Sequence, residues 1–266
     1  MLDRFNRRIR YLRISVTDRC NLRCRYCMPE DGIKFLHHGE ILSFEEIVKV
    51  VKVAVPLGID KIRLTGGEPL VRKGVVDLVK MLAQVRGVKD LAMTTNGLLL
   101  GEFAGDLAKA GLKRINISLD TLDPEKFFQI TRGGKIEEVL NGIYAAKAAG
   151  LNPIKINCVV NTFDDEEDAN SIKNFCDQNH LELRLISKMS LNEGVFGVVR
   201  GGTGGDCTNC NRLRLTSNGM IKPCLFSTAE YSVREHGPGK AIELALCGKP
   251  EKGTKNQNND FYNIGG

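Results

Sequence analysis

The segment SVTDRCNLRCRYCMP, residues 15–29, places three cysteines directly after the first strand-like stretch of the chain. Three residues separate Cys20 from Cys24, and two separate Cys24 from Cys27. Three thiolates at this spacing can bind three irons of a [4Fe–4S] cluster and leave the fourth iron for another ligand. The alternatives are a structural zinc site with a distant fourth ligand, or chance clustering. Zinc sites favour paired Cys-x2-Cys knuckles, so the spacing favours the cluster.

Outward from this segment, strand and helix patterns alternate between residue 10 and about residue 186. Strands are predicted at 11–16, 61–65, 90–94, 113–119, 154–160 and 181–186. Helices are predicted at 44–55, 75–85, 103–110, 136–149 and 165–179. Six βα units predict a parallel sheet with right-handed crossovers, and they are too few for a closed eight-stranded barrel. We therefore expect an α/β fold, a partial (β/α)6 TIM-like barrel, over residues 1–190.

Apolar and polar side chains alternate along four of these strands. The apolar set, which includes Leu12 and Ile14, is expected to pack on the helices. The opposite set is polar and consists of Arg13, Ser15, Lys61, Arg63, Arg114, Asn116, Ser118, Lys155 and Asn157. A parallel strand that is buried on both faces is normally apolar on both. The pattern therefore predicts a hollow barrel interior that holds a polar ligand.

A second cysteine group, Cys207, Cys210 and Cys224, lies in the remaining region, 191–266, which we expect to be a small C-terminal cluster-binding region. The glycine-rich stretch 190–207 is expected to be a flexible connection. A hairpin is predicted from 213–216 to 221–224, with its turn at Asn218-Gly219. The polar tail 248–266 is expected to be poorly ordered in isolation. A zinc ribbon with Cys247 as its fourth ligand is the alternative for this group.

Composition narrows the class of protein. The chain has 266 residues, nine cysteines, 42% hydrophobic residues and a formal net charge of +6. No block of Lys and Arg resembles a nucleic-acid-binding arm, and no apolar run reaches the ~20 residues that span a bilayer. We expect a cytoplasmic protein that binds neither nucleic acid nor membrane. In that setting grouped cysteines indicate metal binding or catalysis rather than disulfides.

Four segments together resemble the radical SAM (S-adenosylmethionine) superfamily. They are 15–29 itself, RLTGGEPL at 63–70, TTNG at 94–97 and SLD at 118–120, and each follows one of the first four predicted strands. Ligand sites of parallel α/β folds form at the carboxyl ends of strands. The resemblance implies a [4Fe–4S] cluster on the first three cysteines and SAM on its open iron. It also implies SAM contacts by Tyr26, Gly66, Gly67, Glu68, Thr94, Ser118 and Met189.

The segment CTNCNRLRLTSNGMIKPCLF, residues 207–226, is similar to the C-terminal cluster site of the GTP 3′,8-cyclase family, and Gly265-Gly266 is similar to that family's ending. The resemblance implies a second [4Fe–4S] cluster on Cys207, Cys210 and Cys224, whose open iron binds the guanine of GTP. It implies catalytic roles for Arg13, Gly265 and Gly266. It also implies GTP contacts by Lys61, Arg63, Lys155, Arg184, Arg212 and Arg214.

The activity implied is the first step of molybdenum-cofactor biosynthesis. GTP would be cyclised by a radical that removes hydrogen from C3′, after which C3′ bonds to C8 of guanine. Flavodoxin or ferredoxin would deliver the electron, and a homodimer is possible. Independently of the resemblance, so many cations facing one interior require an anion to neutralise them. Guanidinium groups suit phosphate oxygens.

Two departures from the family leave other functions open. Only 17 residues separate Met189 from Cys207, where the family is expected to have several tens more, and ISKMS at 186–190 replaces a more acidic segment. One alternative is a compact radical SAM enzyme with an auxiliary cluster that acts on another nucleotide or on a peptide. A substrate screen would distinguish it. The other is a GTP-binding iron–sulfur sensor, which would form no 5′-deoxyadenosine.

Overall fold

A parallel sheet runs through the computed structural model, which describes residues 1–29, 32–160, 166–258 and 261–264. Gly265 and Gly266 lie outside these residues. Nine strands of the described residues form one sheet in the order β6-β5-β4-β3-β2-β1-β7-β8-β9. The strands are β1 Tyr11–Ser15, β2 Lys61–Thr65, β3 Asp90–Thr95, β4 Arg114–Ser118, β5 Ile154–Val160, β6 Glu182–Ser187, β7 Arg212–Leu215, β8 Met220–Lys222 and β9 Tyr231–Ser232.

The first six strands pair in parallel, each with the next along the chain. All six lie within one residue of their predicted bounds at each end. Because β6 and β9 remain edge strands in the described part of the chain, the sheet is not closed. The prediction of an α/β fold with an open, partial barrel is confirmed.

Helices connect the strands on the outer side of the sheet. They are α1 Phe44–Ala54, α2 Val75–Ala83, α3 Leu100–Lys109, α4 Pro124–Thr131, α5 Ile136–Ala148, α6 Glu166–Asn179, α7 Val233–His236, α8 Pro238–Cys247 and α9 Phe261–Ile264. The sequence analysis missed α4 and α8. Both start with a proline, and the carboxylate of Asp123 caps α4 by accepting from the Lys126 amide at 2.8 Å. Proline at the first helical position and an Asp cap are recognised start signals.

The core lies between the outer face of the sheet and these helices. Leu12 and Ile14 of β1 are at most 1% exposed, as are Ile62 and Leu64 of β2. They belong to one large cluster with the buried sides of α1, α2 and α3. The apolar alternation in the sequence therefore identified the helix-facing side, and the opposite side of the strands is left for the site. No helix in the described ranges is both long and apolar enough to span a bilayer.

The predicted hairpin is present, and its first strand, β7, pairs with two strands. β7 runs antiparallel to β8, and it also pairs in parallel with β1, which adds a seventh strand to the parallel sheet. The expectation of a loose tail is wrong for residues 249–256. Lys249 and Asn256 are at most 1% exposed, and both bond to backbone carbonyls around the second cysteine group. These buried polar contacts hold the segment without apolar side chains.

Candidate active site with two cysteine-lined cavities

The first cavity opens at the carboxyl ends of β2 to β6. Its wall includes the three cysteines assigned to the first cluster, Cys20, Cys24 and Cys27. It also includes most of the residues assigned to SAM by resemblance: Tyr26, Gly66, Gly67, Thr94, Ser118 and Met189. Glu68 does not line it. The sequence analysis did not assign Asn96, Val159 or Lys188, which do. Asn96 belongs to the TTNG segment, which gave a signal for it.

The cysteine loop between β1 and α1 is ordered by its own backbone and by contacts to sulfur. The Cys27 amide donates to the Cys24 carbonyl at 2.9 Å, which closes a turn around the two thiols. The Leu22 amide lies 3.4 Å from the Cys20 sulfur and donates to it. Burial, followed by the charges of Cys20 and Asp120, raises the pKa of the Cys27 thiol to about 12. These thiols therefore need a metal to become thiolates near neutral pH.

The turn after β2 packs backbone against the cysteine loop. A Cβ on Gly66 would lie 2.6 Å from the Thr17 carbonyl oxygen, and one on Gly67 would lie 2.3 Å from that of Arg19. Glycine is required at both positions because any other residue would push the loop away.

Glu68 braces this turn from behind the cavity wall. Its carboxylate accepts from the Leu70 amide at 3.0 Å, the Thr95 hydroxyl at 2.7 Å and the Asn96 amide at 2.7 Å. Burial outweighs these bonds and raises the pKa of Glu68 to about 7. Glu68 thus connects the end of β2 to the end of β3, and both neighbouring segments line the cavity.

Tyr26 and Thr94 present polar groups to the first cavity. The Tyr26 hydroxyl donates to Asp120 at 2.7 Å, and the other oxygen of Asp120 accepts from the Val159 amide at 2.8 Å. The Thr94 hydroxyl is buried and has no hydrogen-bond partner among the residues that the structure describes. An unsatisfied buried hydroxyl is unfavourable, so this wall is suited to a polar ligand.

The second cavity lies at the amino-terminal ends of the strands, between the barrel and the second cysteine group. Five residues assigned to the substrate line it, together with Arg13, which was assigned a catalytic role: Lys61, Arg63, Arg184, Arg212 and Arg214. Cys207, Cys210 and Cys224 line the same cavity. Lys155 is not on its wall and forms an ion pair with Glu182. Arg114 is also away from the wall, because its guanidinium forms two 2.7 Å bonds with Asp90.

Strand register explains how these cations come together. Arg13 of β1 is directly opposite Arg63 of β2 and Arg214 of β7. Strands are about 4.8 Å apart, so the three guanidinium groups lie side by side on the inner face. Burial, and then the charge of Arg212, lowers the pKa of Arg214 to about 10. Such crowding of buried like charges is unfavourable unless a bound anion offsets it.

Tyr11 lies next to these cations, on the same face of the sheet, and was missed as a site residue. It is opposite Lys61 and Arg212, whose charged groups lie 5.2 and 5.7 Å from its ring centroid. Burial raises its pKa, but the surrounding cations, led by Arg63, more than reverse that effect and leave the pKa lowered. Tyr11 is two residues before Arg13 on the same face of β1, and this was the signal that could have identified it.

The second cysteine group has surroundings of opposite charge to the first. Burial raises the pKa of the Cys210 thiol, but the charge of Lys249 and contacts with Arg212 leave the pKa lowered overall. Lys249, also missed from the sequence, lines the cavity and is 1% exposed. A single lysine in a polar segment gave no signal of burial.

The two cavities meet inside the barrel. Asn157, Ile186 and Met189 line both of them. The end of the tail lies at the same place: Phe261 and Tyr262 line the first cavity, while Ile264 packs with Leu225 and Phe226 beside the second.

The donor groups fit iron–sulfur clusters. Within the described residues, no three His, Cys, Asp or Glu side chains are placed to bind one metal ion. A [4Fe–4S] cluster binds each thiolate through a different iron. Each cysteine group has three free thiols around one cavity, and the first also has backbone and amide groups within reach of sulfur.

Comparison with known proteins gives a consistent result. Residues 14–176 match the Radical SAM superfamily. The GTP 3′,8-cyclase of Thermodesulfovibrio yellowstonii is 43% identical over 281 aligned residues, which cover 88% of this chain and 87% of that protein. The GTP 3′,8-cyclase of Peptoclostridium acidaminophilum is 46% identical and covers 88% and 85%. In the first alignment 88% of this chain is about 234 residues, so roughly 47 of the 281 positions have no counterpart here.

Solved structures share the fold. SuiB of Streptococcus suis bound to S-adenosylmethionine superposes with a TM-score of 0.66 at 16% identity, over 86% of this chain and 64% of that one. This chain therefore spans slightly less than two thirds of that protein. The anSMEcpe enzyme with bound AdoMet has a TM-score of 0.63 at 15% identity, over 91% and 81%. At these identities the likeness concerns the fold alone.

Proposed function

The chain belongs to the radical SAM superfamily and, within it, to the GTP 3′,8-cyclase family, and from this premise we propose that it converts GTP to (8S)-3′,8-cyclo-7,8-dihydroguanosine 5′-triphosphate. This is the first step of molybdenum-cofactor biosynthesis. The relatives' names give the reaction. The site then has to bring a radical source and a triphosphate together.

The meeting of the two cavities at Asn157, Ile186 and Met189 is the observation that best supports the proposal. The first cavity has the three-cysteine loop and the polar wall assigned to SAM. The second has seven cations among its described wall residues, Lys249 included, and the other cysteine group. A nucleotide in the second cavity can place its ribose at the shared wall, next to the group that removes hydrogen. Proximity of this kind accounts for a large part of a rate enhancement.

In the first cavity the protein would hold the first cluster and SAM and shield them from water. When bound, the first cluster and SAM supply the 5′-deoxyadenosyl radical that removes hydrogen from C3′. Cys20, Cys24 and Cys27 would hold the cluster, and the Gly66-Gly67 turn would let the backbone approach SAM. Tyr26 keeps its hydroxyl on Asp120, which fixes that wall. The cofactor carries the difficult chemistry, and the enclosure protects it from water.

In the second cavity the cations would neutralise the triphosphate. Arg13, Arg63 and Arg214 are adjacent through strand register, and Arg212 and Lys61 lie one layer away with Tyr11. Charge-assisted bonds from guanidinium to phosphate fix orientation as well as charge. Cys207, Cys210 and Cys224 would hold a second [4Fe–4S] cluster, which would supply an iron with an open position for the guanine. Lys155 would join it by exchanging Glu182 for a phosphate oxygen.

The electron donor and the cellular compartment of the enzyme are part of the same proposal. A small electron carrier, flavodoxin or ferredoxin, would deliver one electron for SAM cleavage. It would also deliver a second electron that, together with a proton, reduces the radical left on the guanine once C3′ has bonded to C8. Free thiols and clusters of this kind require a reducing compartment, so we place the protein in the cytoplasm. A homodimer is compatible with the proposal and does not enter the mechanism.

Anaerobic turnover tests the function directly. The reconstituted protein is incubated with SAM, dithionite and GTP, and the products are identified by mass spectrometry. The expected result is 5′-deoxyadenosine together with a cyclised product of the same mass as GTP. Formation of 5′-deoxyadenosine without any change in GTP would contradict the GTP assignment and leave the radical SAM chemistry intact.

The roughly 47 aligned positions without a counterpart here, together with the 17-residue connection from Met189 to Cys207, support one second candidate. A shortened wall leaves room for a different substrate, so the enzyme would be a compact radical SAM enzyme acting on another nucleotide or on a peptide. The same incubation with ATP, other nucleoside triphosphates and short peptides distinguishes the two. Deuterium transfer from a labelled substrate to 5′-deoxyadenosine identifies the one that reacts.

A further inference from the structure

The segment Lys249–Asn256, which we call the C-terminal strap, lies against the second cysteine group. The Thr254 amide donates to the Phe226 carbonyl at 2.8 Å, and the Asn256 side chain donates to the Leu225 carbonyl at 2.9 Å. A Cβ on Gly253 would lie 2.8 Å from Phe226 and 3.2 Å from the Cys224 sulfur. The strap is therefore in contact with a cysteine that the second cluster would use.

Arg7 fastens the same region from the other end of the chain. Its guanidinium donates to the carbonyl of Cys207 at 2.7 Å, and to those of Pro250 and Glu251 at 2.7 and 2.8 Å. Its charge is neutralised by Asp3 at 2.6 Å. Arg7 thus has both an anion and carbonyl partners, which is the usual state of a buried cation.

Lys249 differs from Arg7 in this respect. Its ammonium donates to the carbonyls of Arg212 at 2.8 Å and Pro223 at 2.6 Å, and its side chain is buried. Within the described part of the chain, no carboxylate forms an ion pair with it. A fully buried ammonium without a counter-charge is strongly unfavourable. The groups near it that can become anionic are the sulfurs of Cys210 and Cys224.

The partners of Lys249 also relate it to the position of the cysteines. Arg212 is two residues after Cys210, and Pro223 immediately precedes Cys224. One ammonium therefore connects the backbone beside two of the three proposed ligands. Two of the three N–H donors of the ammonium bond to the carbonyls of Arg212 and Pro223, which anchors the lysine between the two cysteine loops.

From this geometry we infer that Lys249 is the buried counter-ion of the second iron–sulfur cluster, where it offsets the cluster's negative charge and holds Cys210 and Cys224 in place. The inference rests on the two-cluster part of the proposed function. Lys249 acts through the cysteine ligands and the charge of the cluster, so it is a positioning residue and not a catalytic one. A positive charge close to a cluster stabilises its reduced form and raises its reduction potential.

The test uses the full chain with Cys20, Cys24 and Cys27 replaced by Ala, so that only the second cluster is reconstituted. Iron content and an EPR-monitored redox titration are compared for this background and for the added changes Lys249→Met and Lys249→Arg. At one fixed potential, Lys249→Met should lower the reduced-to-oxidised ratio at least tenfold, which is 59 mV for a one-electron couple. Lys249→Arg should keep the ratio within threefold.

A matched control is the ion pair of the buried Lys222 with the partly exposed Glu230, whose charged atoms are 3.0 Å apart and which lies in the same region. The double change Lys222→Met/Glu230→Gln removes a pair with no net charge, so it should leave the ratio within threefold. An equal shift in this control would assign the effect to repacking and overturn the inference. An unchanged ratio and full iron content in Lys249→Met would also overturn it.

Loss of the cluster is informative as well. If Lys249→Met binds no iron while Lys249→Arg binds four per chain, charge is required and the inference stands. If both variants lose iron, shape rather than charge is required and the inference fails. If the background itself binds no iron, or binds zinc, the two-cluster part of the proposed function fails first, and that outcome is recognised before any Lys249 variant is made.

Discussion

The two cysteine groups have the same number of ligands and opposite surroundings. Around the first, burial and neighbouring negative groups raise the pKa of Cys24 and Cys27, and Asp120 is the nearest carboxylate. Around the second, Lys249 and Arg212 reverse the effect of burial and leave the pKa of Cys210 lowered. The first group lies at the carboxyl ends of the strands and the second at their amino ends.

This difference indicates what each site receives. SAM carries a sulfonium and an ammonium, so a site beside the carboxylate of Asp120 suits it. A nucleoside triphosphate carries several negative charges, so it requires the cationic layer that Arg13, Arg63 and Arg214 provide. Equal cysteine counts therefore do not imply equal tasks. The charge around each cavity separates a site for making a radical from a site for holding its target.

The cysteine substitutions should have the largest effects. They test whether the two cysteine groups have different tasks, because equivalent groups would give the same loss of activity. The fully reconstituted protein should bind ~8 iron per chain, and each set of three Cys→Ala changes should remove about half. Replacing Cys20, Cys24 and Cys27 should abolish SAM cleavage. Replacing Cys207, Cys210 and Cys224 should leave 5′-deoxyadenosine formation and abolish the cyclised product. Stoichiometric zinc in the second site would contradict the two-cluster reading.

Removing Gly265 and Gly266 should have the next largest effect. These residues lie outside the described part of the chain, but Phe261 and Tyr262 line the first cavity shortly before them. If the tail completes the reactive complex, the truncated protein should lose about 100-fold in turnover, because small misplacements are that costly. Iron content, SAM binding and GTP binding should be nearly intact. Turnover equal to that of the full chain would remove the tail from catalysis.

The cationic layer can be tested by single substitutions. Arg212→Ala and Arg214→Ala should each weaken GTP binding by ~1.5–3 kcal/mol, about 10- to 150-fold in Kd, through loss of a charged hydrogen bond. Both clusters and reductive SAM cleavage should persist. Arg10→Ala is the matched control, since Arg10 is half exposed and paired with Asp60 at 2.8 Å. Equal GTP affinity in the Arg212/Arg214 double variant and the control would place the substrate elsewhere.

The smallest expected effect is on the pH dependence of stability, and it comes from the buried carboxyl of Glu68 beside the first cavity. The pKa of Glu68 is raised to about 7 from 4.5 in the unfolded chain. The native state then holds the extra proton, so the stability from the neutral carboxyl is complete below pH 4.5 and is lost as pH rises through 7. Relative to Glu68→Gln, the wild type without SAM should lose about 1.4 kcal/mol between pH 6 and pH 8. Urea unfolding at both values measures it.

Glu102→Gln is the control for that experiment, because Glu102 is an exposed carboxyl of α3. Its stability relative to the wild type should not change between the two pH values. A Glu68→Gln difference that stays constant would show that Glu68 is already ionised throughout this range.

The strands and most of the site were predictable because both depend on alternation. A strand places every second residue on one face, so Arg13 and Arg63 could be assigned to the interior from their spacing alone, whereas Arg214 was assigned through the family resemblance. Tyr11 obeys the same rule and was missed because its ring is apolar. The cysteines were identifiable because three thiols in eight residues serve few purposes.

The remaining features depend on contacts between distant segments. Lys155 is paired with Glu182 because β5 and β6 place them opposite each other, and sequence spacing does not show that register. Arg114 is held by Asp90 for a similar reason. Lys249 is buried by carbonyls of residues 212 and 223, which carry no side-chain signal. β7 joined the barrel through a pairing with β1 that local patterns cannot indicate.

The pairing of β1 with β7 also has a consequence for folding during synthesis, because the two strands are made at different times. Tyr11 and Arg212 are partners although about 200 residues separate them. A ribosome adds ~5–20 residues per second, so β7 is synthesised about 10 to 40 s after β1. One edge of β1 remains unpaired for that time. During that interval β1 offers unpaired backbone groups to any other strand. Its cationic side chains, repelled by those of another copy, keep nascent chains apart until β7 arrives.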